Sequence, residues 1–313
     1  MPMAAIRRAN MTMKARIGVL GAGLMGHGIA QVFALAGHEV RIYDPSPAAL
    51  ETVRARIAAN LRDLDEDESA AQRVTPASTI AEAVSDAGFV VEAALEDLAV
   101  KQALFAEIER HAPAHAILAS NTSVIPITQI MQGIADGART VGTHWWNPPF
   151  LVPLVEVIGT DRTSQQTIDA TMALHEAIGK TPVHVKKDVP GFVGNRLQHA
   201  LWREAISLVE NGVCDARTVD TVVKASFGRR LGVLGPIENA DLVGTDLTLA
   251  IHNTVLPSIE SRPGPSPYLE SLVASGKLGM KSGEGFRTWT AEEQAELRQK
   301  VVQHLKKARQ NDA

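Results

Sequence analysis

The feature that most constrains the fold is a glycine-rich turn near the N-terminus. A mostly apolar segment at 16–20 precedes the turn Gly-Ala-Gly-Leu-Met-Gly at 21–26, and apolar residues then recur at helical spacing up to Gly37. A second apolar segment at 39–43 ends in Asp44. This order of strand, GxGxxG turn, helix, strand and acid predicts a βαβ unit that binds a dinucleotide.

Each glycine of the turn has a physical reason to be there. Gly21 permits the tight turn, Gly23 lets a pyrophosphate approach the backbone, and Gly26 lets the helix pack closely on the strand. The helix N-terminus offers unpaired N–H groups to phosphates. Asp44 follows Gly26 by 18 residues (44 − 26), near the spacing of an acid that holds ribose hydroxyls, and its charge disfavours a 2′-phosphate. NAD is therefore expected rather than NADP, and the alternative is a glycine-rich turn without a nucleotide.

Short strands alternate with helices through the first half of the chain. Further strands are predicted at 88–92, 117–120 and 182–185, and helices at 47–62, 100–111 and 163–178. Such alternation predicts an α/β fold with a parallel, doubly wound sheet of the Rossmann type. Sheets of this type bind ligands beyond the carboxyl ends of their strands.

The pattern changes near Lys187, beyond which strand-like alternation is almost absent and apolar residues recur at helical spacing. We therefore expect a disordered tail at 1–13, a Rossmann domain at 14–188 and an all-helical domain at 189–313. The ten histidines are scattered without the spacing of metal ligands, so no metal site is expected.

The segment 143–158 concentrates groups that could perform chemistry. It is predicted to form a strand ending at His144, a turn at two consecutive prolines, and a returning strand at 154–158. Such a hairpin would bring His144 close to Glu156, 12 residues later (156 − 144). The carboxylate would then fix the imidazole tautomer and stabilise its charged form, as behind a catalytic base. The alternative is a core histidine beside an unrelated surface acid.

The amino-acid composition argues against several classes of binding partner. The 313 residues carry a net charge of −4 without a basic block, so neither nucleic acid nor a membrane surface is an expected partner. No apolar run approaches the roughly 20 residues of a membrane span. The single cysteine, Cys214, excludes an internal disulfide and fits a reducing compartment. A cytoplasmic protein is expected.

Six motifs together resemble the NAD-dependent L-3-hydroxyacyl-CoA dehydrogenase superfamily. They are Gly-Ala-Gly-Leu-Met-Gly (21–26), Ser-Asn-Thr-Ser (120–123), His-Trp-Trp-Asn-Pro (144–148), Leu-Val-Glu-Val-Ile (154–158), Pro-Gly-Phe-Val-Gly-Asn-Arg (190–196) and Gly-Pro-Ile-Glu (235–238). They follow the family's order and cover most of residues 15–290. They are specific for the fold and the chemistry but not for the substrate.

The resemblance implies a role for each matching residue. His144 would be the general base that takes the hydroxyl proton, and Glu156 would orient it. Ser123 would hydrogen-bond the reacting oxygen, Asn195 would polarise that oxygen from the other side, and Asn147 would help to hold the substrate or His144. For Ser123 and Asn195 the alternative is ordinary helix capping.

The resemblance also implies cofactor contacts and an assembly. The cofactor contacts outside the glycines and Asp44 are Leu24, Met25, Glu96, Lys101 and Asn121. Because members of the family pair through their helical domains, a homodimer through the C-terminal domain is implied.

Two departures from the acyl-CoA enzymes point to a small free acid. Those enzymes hold the CoA phosphates with a lysine-rich helical excursion, whereas 51–76 here contains four arginines, no lysine and six acids. The forms His-Trp-Trp-Asn-Pro-Pro and Lys-Lys-Asp-Val-Pro-Gly-Phe-Val (186–193) are closer to the small-acid branch. That branch includes L-gulonate 3-dehydrogenase (the lambda-crystallin group), carnitine dehydrogenase and a pyridine-carboxylate dehydrogenase of vitamin B6 breakdown.

Arg229 and Arg230 precede Gly235, at the place where the small-acid relatives have a basic residue. An arginine fork suits a carboxylate, and a solvated helix end is the alternative. The expected function is therefore NAD-dependent oxidation of the 3-hydroxyl of a small hydroxy-carboxylate. The alternatives are an L-3-hydroxyacyl-CoA dehydrogenase, acting on 3-hydroxybutyryl-CoA for example, and a catalytically silent, crystallin-like NAD-binding protein.

Overall fold

A computed structural model describes residues 15–312 of the chain, with side chains described up to residue 310, so the tail predicted at 1–13 lies outside the described residues. The chain forms two compact units. The first extends to Arg196 and includes the C-terminal segment from Gln303 onward; the second is Leu197–Val302. The domain boundary proposed at residues 188 and 189 stays a prediction.

The first unit is built around one eight-stranded sheet with the order β3-β2-β1-β4-β5-β6-β7-β8. Its strands are β1 (Ile17–Leu20), β2 (Val40–Tyr43), β3 (Val74–Pro76), β4 (Phe89–Glu92), β5 (Ile117–Ser120), β6 (Thr140–Trp145), β7 (Leu154–Ile158) and β8 (Thr181–Val185). All neighbours pair in parallel except β6 and β7, which pair antiparallel as the predicted hairpin requires. The expected doubly wound sheet of the Rossmann type is confirmed.

Helices cover both faces of this sheet. They are α1 (Leu24–Leu35), α2 (Pro47–Asp63), α3 (Ile80–Val84), α4 (Leu98–His111), α5 (Ile127–Ile130) and α6 (Gln165–Ala177). One buried apolar cluster joins the sheet to α1, α2 and α6, and a second joins it to α3, α4 and α5. Strands β1, β4 and β5 are buried throughout, because helices shield them on both sides.

The second unit is helical, as the change of pattern near Lys187 predicts. Its helices are α7 (Gly194–Glu210), which begins in the first unit, α8 (Ala216–Ala225), α9 (Pro236–Val243), α10 (Thr245–Val255), α11 (Pro267–Ala274) and α12 (Ala291–Asp312), whose end belongs to the first unit. The Asp215 carboxylate accepts a hydrogen bond from the Thr218 N–H at 2.7 Å and thereby caps the N-terminus of α8. The all-α character predicted for this part of the chain is confirmed.

Candidate active site

The glycine-rich turn connects β1 to α1. Gly21 has φ +107°, and a Cβ atom there would collide with the Ala93 carbonyl group. A Cβ atom on Gly26 would overlap the carbonyl oxygen of Gly21, so both positions accept only glycine. Gly23 is different, because a Cβ atom added there would meet no atom within 4 Å. Gly23 therefore borders open space at the N-terminus of α1, which is the space that a dinucleotide pyrophosphate requires.

Asp44 directly follows β2, and its carboxylate accepts a hydrogen bond from the backbone of this turn. Its Oδ2 accepts a hydrogen bond from the Ala22 N–H at 2.7 Å, and its Oδ1 accepts one from the Ser46 N–H at 2.8 Å. Carboxylate oxygens have further lone pairs, so both can still accept from ribose hydroxyls. Leu24 is exposed and Met25 is half-buried at the start of α1. The residues around the turn therefore fit an NAD molecule.

Lys101 is fully buried in α4, and its ammonium group lies between two carboxylates. Its Nζ donates a hydrogen bond to Glu92 Oε1 at 2.8 Å and lies 3.4 Å from Glu96 Oε2. Glu92, also fully buried, accepts a second hydrogen bond from Ser120 Oγ at 2.6 Å. Through these contacts the Lys101 ammonium binds groups of the protein itself. A direct contact between Lys101 and the cofactor stays a prediction. Sequence reasoning missed Glu92; the available signal was an acid at the end of an apolar strand.

Glu96 orders the loop that carries Ser123. Its Oε1 accepts hydrogen bonds from Thr122 Oγ1 at 2.6 Å, from the Ser123 N–H at 2.8 Å and from the Val124 N–H at 3.0 Å. Burial alone would raise the pKa of Glu96, but these hydrogen bonds and the Lys101 charge outweigh it and lower that pKa. The carboxylate is therefore ionised at neutral pH and holds three groups of the loop.

His144 and Glu156 are partners in the register of β6 and β7. The Nδ1 atom of His144 lies 2.7 Å from Glu156 Oε2, and both side chains are buried. The other carboxylate oxygen of Glu156 accepts hydrogen bonds from the Val193 N–H at 2.9 Å and the Gly194 N–H at 3.0 Å. Burial raises the pKa of Glu156, but the His144 hydrogen bond and these two N–H groups outweigh it and lower the pKa.

An ionised carboxylate only accepts hydrogen bonds, so the geometry places a hydrogen on His144 Nδ1. The Nε2 atom of the neutral ring is then left as a proton acceptor. The ring itself lies against Trp146 and Phe192, with centroid separations of 5.2 Å and 5.7 Å. Trp145 is buried instead in the core, beside Phe33.

Ser123 and Asn195 are in direct contact. The Asn195 side-chain amide donates a hydrogen bond to the Ser123 carbonyl oxygen at 2.9 Å. Ser123 is four residues before α5, which begins at Ile127, so the alternative that it caps a helix is wrong. Asn195 lies in the first turn of α7 and follows Gly194, whose N–H is held by Glu156. Asn195 is thus hydrogen-bonded to Ser123 and is adjacent in the chain to Gly194, which Glu156 holds together with His144.

Asn121 and Asn147, the other two asparagines predicted to belong to the site, have different surroundings. Asn121 Oδ1 accepts a hydrogen bond from the Trp145 N–H at 2.9 Å, which ties the end of β5 to the end of β6. Asn147 is exposed after β6 and precedes Pro148 through a cis peptide bond. The cofactor contact of Asn121 and the substrate contact of Asn147 stay predictions.

Arg229 and Arg230 lie in the second unit, at the end of the short 3₁₀ helix Phe227–Arg229, and both are exposed. Neither guanidinium forms an ion pair with another side chain of the described range 15–310. An exposed, unpaired guanidinium is available to a carboxylate ligand, and it is equally compatible with the solvated helix end. The role of Arg230 therefore stays a prediction.

The four arginines in the region 51–76 all bind groups of the protein itself. Arg54 donates to the Val74 carbonyl at 2.5 Å, Arg56 to the Ala22 carbonyl at 2.7 Å, and Arg73 to the Ala34 carbonyl at 3.3 Å. Arg62 donates to both carboxylate oxygens of Glu68, at 3.0 Å and 2.6 Å. The region therefore offers six acids and few uncommitted positive groups to a polyphosphate.

Two further kinds of feature, a metal-binding cluster and a membrane-spanning helix, are absent from the described part of the chain. No three or more His, Cys, Asp or Glu side chains of residues 15–312 come together as a group that could hold a metal ion. None of the helices in that range has the length and apolarity needed to cross a membrane.

Comparisons with known proteins agree on one family. The family model described as 3-hydroxyacyl-CoA dehydrogenase, NAD binding domain, matches residues 16–189, and the model of the C-terminal domain of 3-hydroxyacyl-CoA dehydrogenase matches residues 191–289. The 5-formyl-3-hydroxy-2-methylpyridine 4-carboxylate 5-dehydrogenase of Mesorhizobium japonicum is 37% identical over 295 residues, which cover 91% of this chain and 96% of that protein.

Two further similarities span most of the chain. The probable 3-hydroxybutyryl-CoA dehydrogenase of Bacillus subtilis is 40% identical over 280 residues, covering 87% of this chain and 96% of that protein. A crystal structure of a 5-formyl-3-hydroxy-2-methylpyridine 4-carboxylic acid 5-dehydrogenase, named as an NAD⁺-dependent dismutase, matches with a TM-score of 0.89 and 35% identity. That match covers 96% of this chain and 99% of the solved one.

Proposed function

Because this chain belongs to the 3-hydroxyacyl-CoA dehydrogenase family, we propose that it oxidises the 3-hydroxyl group of a small hydroxy-carboxylate to the ketone. The family assignment confirms the resemblance drawn from the six motifs, and with it the NAD cofactor and the dehydrogenase class. The observation that carries the proposed chemistry is the buried hydrogen bond between His144 and Glu156.

The proposed base is His144, acting through Nε2. Glu156 holds the ring through Nδ1, which leaves Nε2 to accept the substrate hydroxyl proton. The charge that then develops on the imidazolium is stabilised by the adjacent carboxylate. NAD, when bound, supplies the acceptor for the hydride that leaves the same carbon. Release of the proton to His144 and of the hydride to the cofactor completes the oxidation.

The reacting oxygen needs hydrogen-bond donors as its charge changes. We assign this role to Ser123 and Asn195, whose contact with each other places them side by side. Glu96 supports them by holding the backbone N–H of Ser123. Asn147, which is exposed three residues after the buried base His144, is proposed as a further contact to the substrate.

A free carboxylate, rather than a CoA thioester, is the substrate class that the 51–76 region favours. Its arginines are engaged with carbonyl groups or with Glu68, and its six acids would repel the phosphates of CoA. The similarity to a dehydrogenase named for a pyridine carboxylate supports the same class. Arg230 is the proposed partner of the substrate carboxylate, since an exposed guanidinium can bind it with two hydrogen bonds.

A CoA thioester is the second candidate substrate. It is favoured by the 40% identity to a probable 3-hydroxybutyryl-CoA dehydrogenase. Saturation by micromolar acetoacetyl-CoA in the reductive direction would establish the thioester and exclude the free-acid proposal. A silent, crystallin-like protein is the third candidate, and measurable turnover would exclude it.

The proposed chemistry is tested by His144→Gln. This substitution removes the base but keeps a side chain able to donate to Glu156, so NAD binding should persist while turnover of any accepted hydroxy acid falls to background. His111→Gln is the matched control, because His111 is an exposed histidine that also contacts a glutamate, Glu107. Turnover that survives His144→Gln would reject His144 as the base.

The proposed assembly is a homodimer formed through the second unit. Helices α8, α9 and α10 contain no buried residue, and their apolar side chains are open to solvent. Val233, Ile237 and Leu242 are 91%, 75% and 72% exposed. Soluble monomers rarely expose apolar surface on this scale, so a second copy is the expected cover. Light scattering of the purified protein should give the mass of two chains, and a monomer at micromolar concentration would contradict the dimer.

We further propose a cytoplasmic location, on the ground of the single cysteine and the use of a nicotinamide cofactor. Fractionation of the source cells, with NAD-dependent activity as the readout, tests this location.

A further inference from the structure

The first unit contains a cavity that shares no residue with the candidate active site. A cavity of about 320 Å³ lies on the face of the sheet that α1, α2 and α6 cover. Its apolar lining consists mainly of Val32, Leu35, Leu64, Phe150 and Ile178. Small-molecule pockets range from about 300 to 1,000 Å³ and are mostly apolar with a few polar groups, so this cavity has the size of a small ligand site.

Lys180 is the positive group at one end of this cavity. Its ammonium donates hydrogen bonds to the carbonyl oxygens of Val152, at 3.0 Å, and of Pro149, and it lies 5.2 Å from the centroid of the Trp145 ring. Within residues 15–310 no carboxylate forms an ion pair with it. Burial first, and then the charge of Arg309, together lower the pKa of Lys180 to about 8. A half-buried cation without an ion-pair partner among the described side chains therefore lines the cavity.

Gln31 supplies a second donor. The side chain is only 1% exposed, and its Oε1 accepts a hydrogen bond from Asn60 Nδ2 at 3.0 Å. Its Nε2 has no hydrogen-bond partner among the described residues, although a buried amide N–H without a partner costs free energy. Gln31 lines the cavity together with Lys180 and Arg309, and Arg309 pairs with Glu66. The two charged groups that line the cavity are both positive.

We propose that this cavity binds an amphipathic monocarboxylate. The carboxylate accepts hydrogen bonds from Lys180 and Gln31, and an unbranched apolar body lies against Val32, Leu35 and Phe150. Such a ligand supplies both things that the cavity lacks, a counter-ion for the ammonium and an acceptor for the Gln31 amide. A dianion or a polyphosphate fits less well, because the apolar wall would desolvate its second charge.

A ligand bound in this cavity would affect the hairpin of β6 and β7, which carries His144 and Glu156. Lys180 holds the carbonyl groups of Pro149 and Val152, which belong to the connection between β6 and β7. A ligand carboxylate competes with these carbonyls for the same ammonium. The connection carries the chain from His144 to Glu156, so the ligand and the candidate base are linked through one short segment.

The test is calorimetric titration of sodium octanoate into the full-length protein with saturating NAD. The variants are Lys180→Met, which removes the charge, and Ala177→Trp, which adds bulk at an exposed position of the cavity wall. We expect one octanoate per chain on the wild type and at least about ten-fold weaker binding in each variant. We also expect octan-1-ol, which lacks the carboxylate, to bind at least about ten-fold more weakly than octanoate.

Arg230→Ala separates this site from the proposed substrate site. It should leave octanoate binding unchanged, whereas octanoate bound as a substrate analogue would lose affinity. The proposal is overturned if octanoate binds more weakly than about 1 mM. It is equally overturned if octan-1-ol binds as well as octanoate, or if Ala177→Trp binds like the wild type. The Ala177→Trp result decides the matter even if Lys180→Met fails to fold.

Discussion

His144 and Glu156 face each other across two antiparallel strands, with Nδ1 2.7 Å from Oε2. The chain reverses direction between Trp145 and Leu154, and the register of β6 and β7 makes these two residues direct partners. Glu156 also accepts the N–H groups of Val193 and Gly194, which begin the segment leading to Asn195. One carboxylate therefore positions both the candidate base and the residue proposed to act with it.

Glu156→Gln should reduce kcat by about a hundred-fold or more, with little change in the KM for NAD. A glutamine has only one acceptor oxygen, whereas Glu156 uses one oxygen for His144 and the other for two backbone N–H groups. Either the tautomer of His144 or the start of α7 must then change. Steady-state kinetics with saturating substrate measures the loss.

Glu107→Gln is the matched control for this prediction. Glu107 and His111 form an exposed pair on α4 with a similar separation of 2.9 Å. Its loss should leave kcat unchanged. A Glu156→Gln enzyme with a kcat within about two-fold of the wild type would show that the buried pair has no catalytic role.

Gly23→Ala should raise the dissociation constant for NAD by about ten-fold without lowering the stability of the protein. A methyl group at this position meets no protein atom within 4 Å, so it occupies only the space in which the pyrophosphate is expected to bind. Gly133→Ala, whose added Cβ is equally free, should change neither property. Fluorescence titration of NADH and urea denaturation measure the two effects. Equal NADH affinity in both variants would contradict the placement of the cofactor.

Lys101→Met should destabilise the protein by about 3–5 kcal/mol, because it leaves two carboxylates near each other without their shared cation. Glu92 and Lys101 are both fully buried and separated by 2.8 Å. The double variant Lys101→Met, Glu92→Gln should regain part of that loss, since it removes the fully buried, uncompensated charge of Glu92. Urea denaturation of the three proteins tests this ordering, and a double variant less stable than Lys101→Met would refute it.

His175 makes stability depend on pH. Burial lowers the pKa of its ring to about 4, whereas the ring titrates near 6.5 in the unfolded chain. Between these values the unfolded state binds more protons, so stability falls as the pH drops from 6.5 to 4 and this group causes no further loss below that window. The size of the loss follows from the difference in pKa and is about 3 kcal/mol.

His175→Phe should reduce this acid sensitivity. The variant keeps a ring among Phe33, Phe89 and Trp145 but cannot titrate. Between pH 7 and pH 4 the wild type should therefore lose about 3 kcal/mol more unfolding free energy than the variant. Denaturant midpoints at the two pH values provide the measurement. The same loss in both proteins would mean that the ring is not held neutral by burial.

The sequence pattern is sufficient to predict the helices and strands around the site. It is not sufficient to predict contacts between residues that are far apart in the sequence. The limits of β7, Leu154–Ile158, coincide with the prediction, because a double proline and an apolar alternation specify a returning strand. The pairing of His144 with Glu156 follows from that hairpin. The GxGxxG turn is likewise predictable, since its glycines are required by local backbone geometry.

Glu92 and Lys101 show why the rest was not predictable. An acid at a strand end and a lysine on a helix are ordinary surface residues in a sequence, and only the packing of α4 on β4 buries them together. The pairing of Glu66 with Arg309 spans 243 positions and depends on where α12 ends. Neither periodicity nor motif spacing carries information about contacts of this kind.

The most direct test of the proposed function is NADH formation by the purified enzyme, at mildly alkaline pH, with L-gulonate, L-carnitine, L-3-hydroxybutyrate and L-3-hydroxybutyryl-CoA. NADP in place of NAD serves as the cofactor control. We predict turnover of at least one free acid, with NAD strongly preferred, and a markedly lower kcat/KM for the thioester. Turnover of the thioester alone would contradict the free-acid account and would mean that CoA is held by groups outside the 51–76 region.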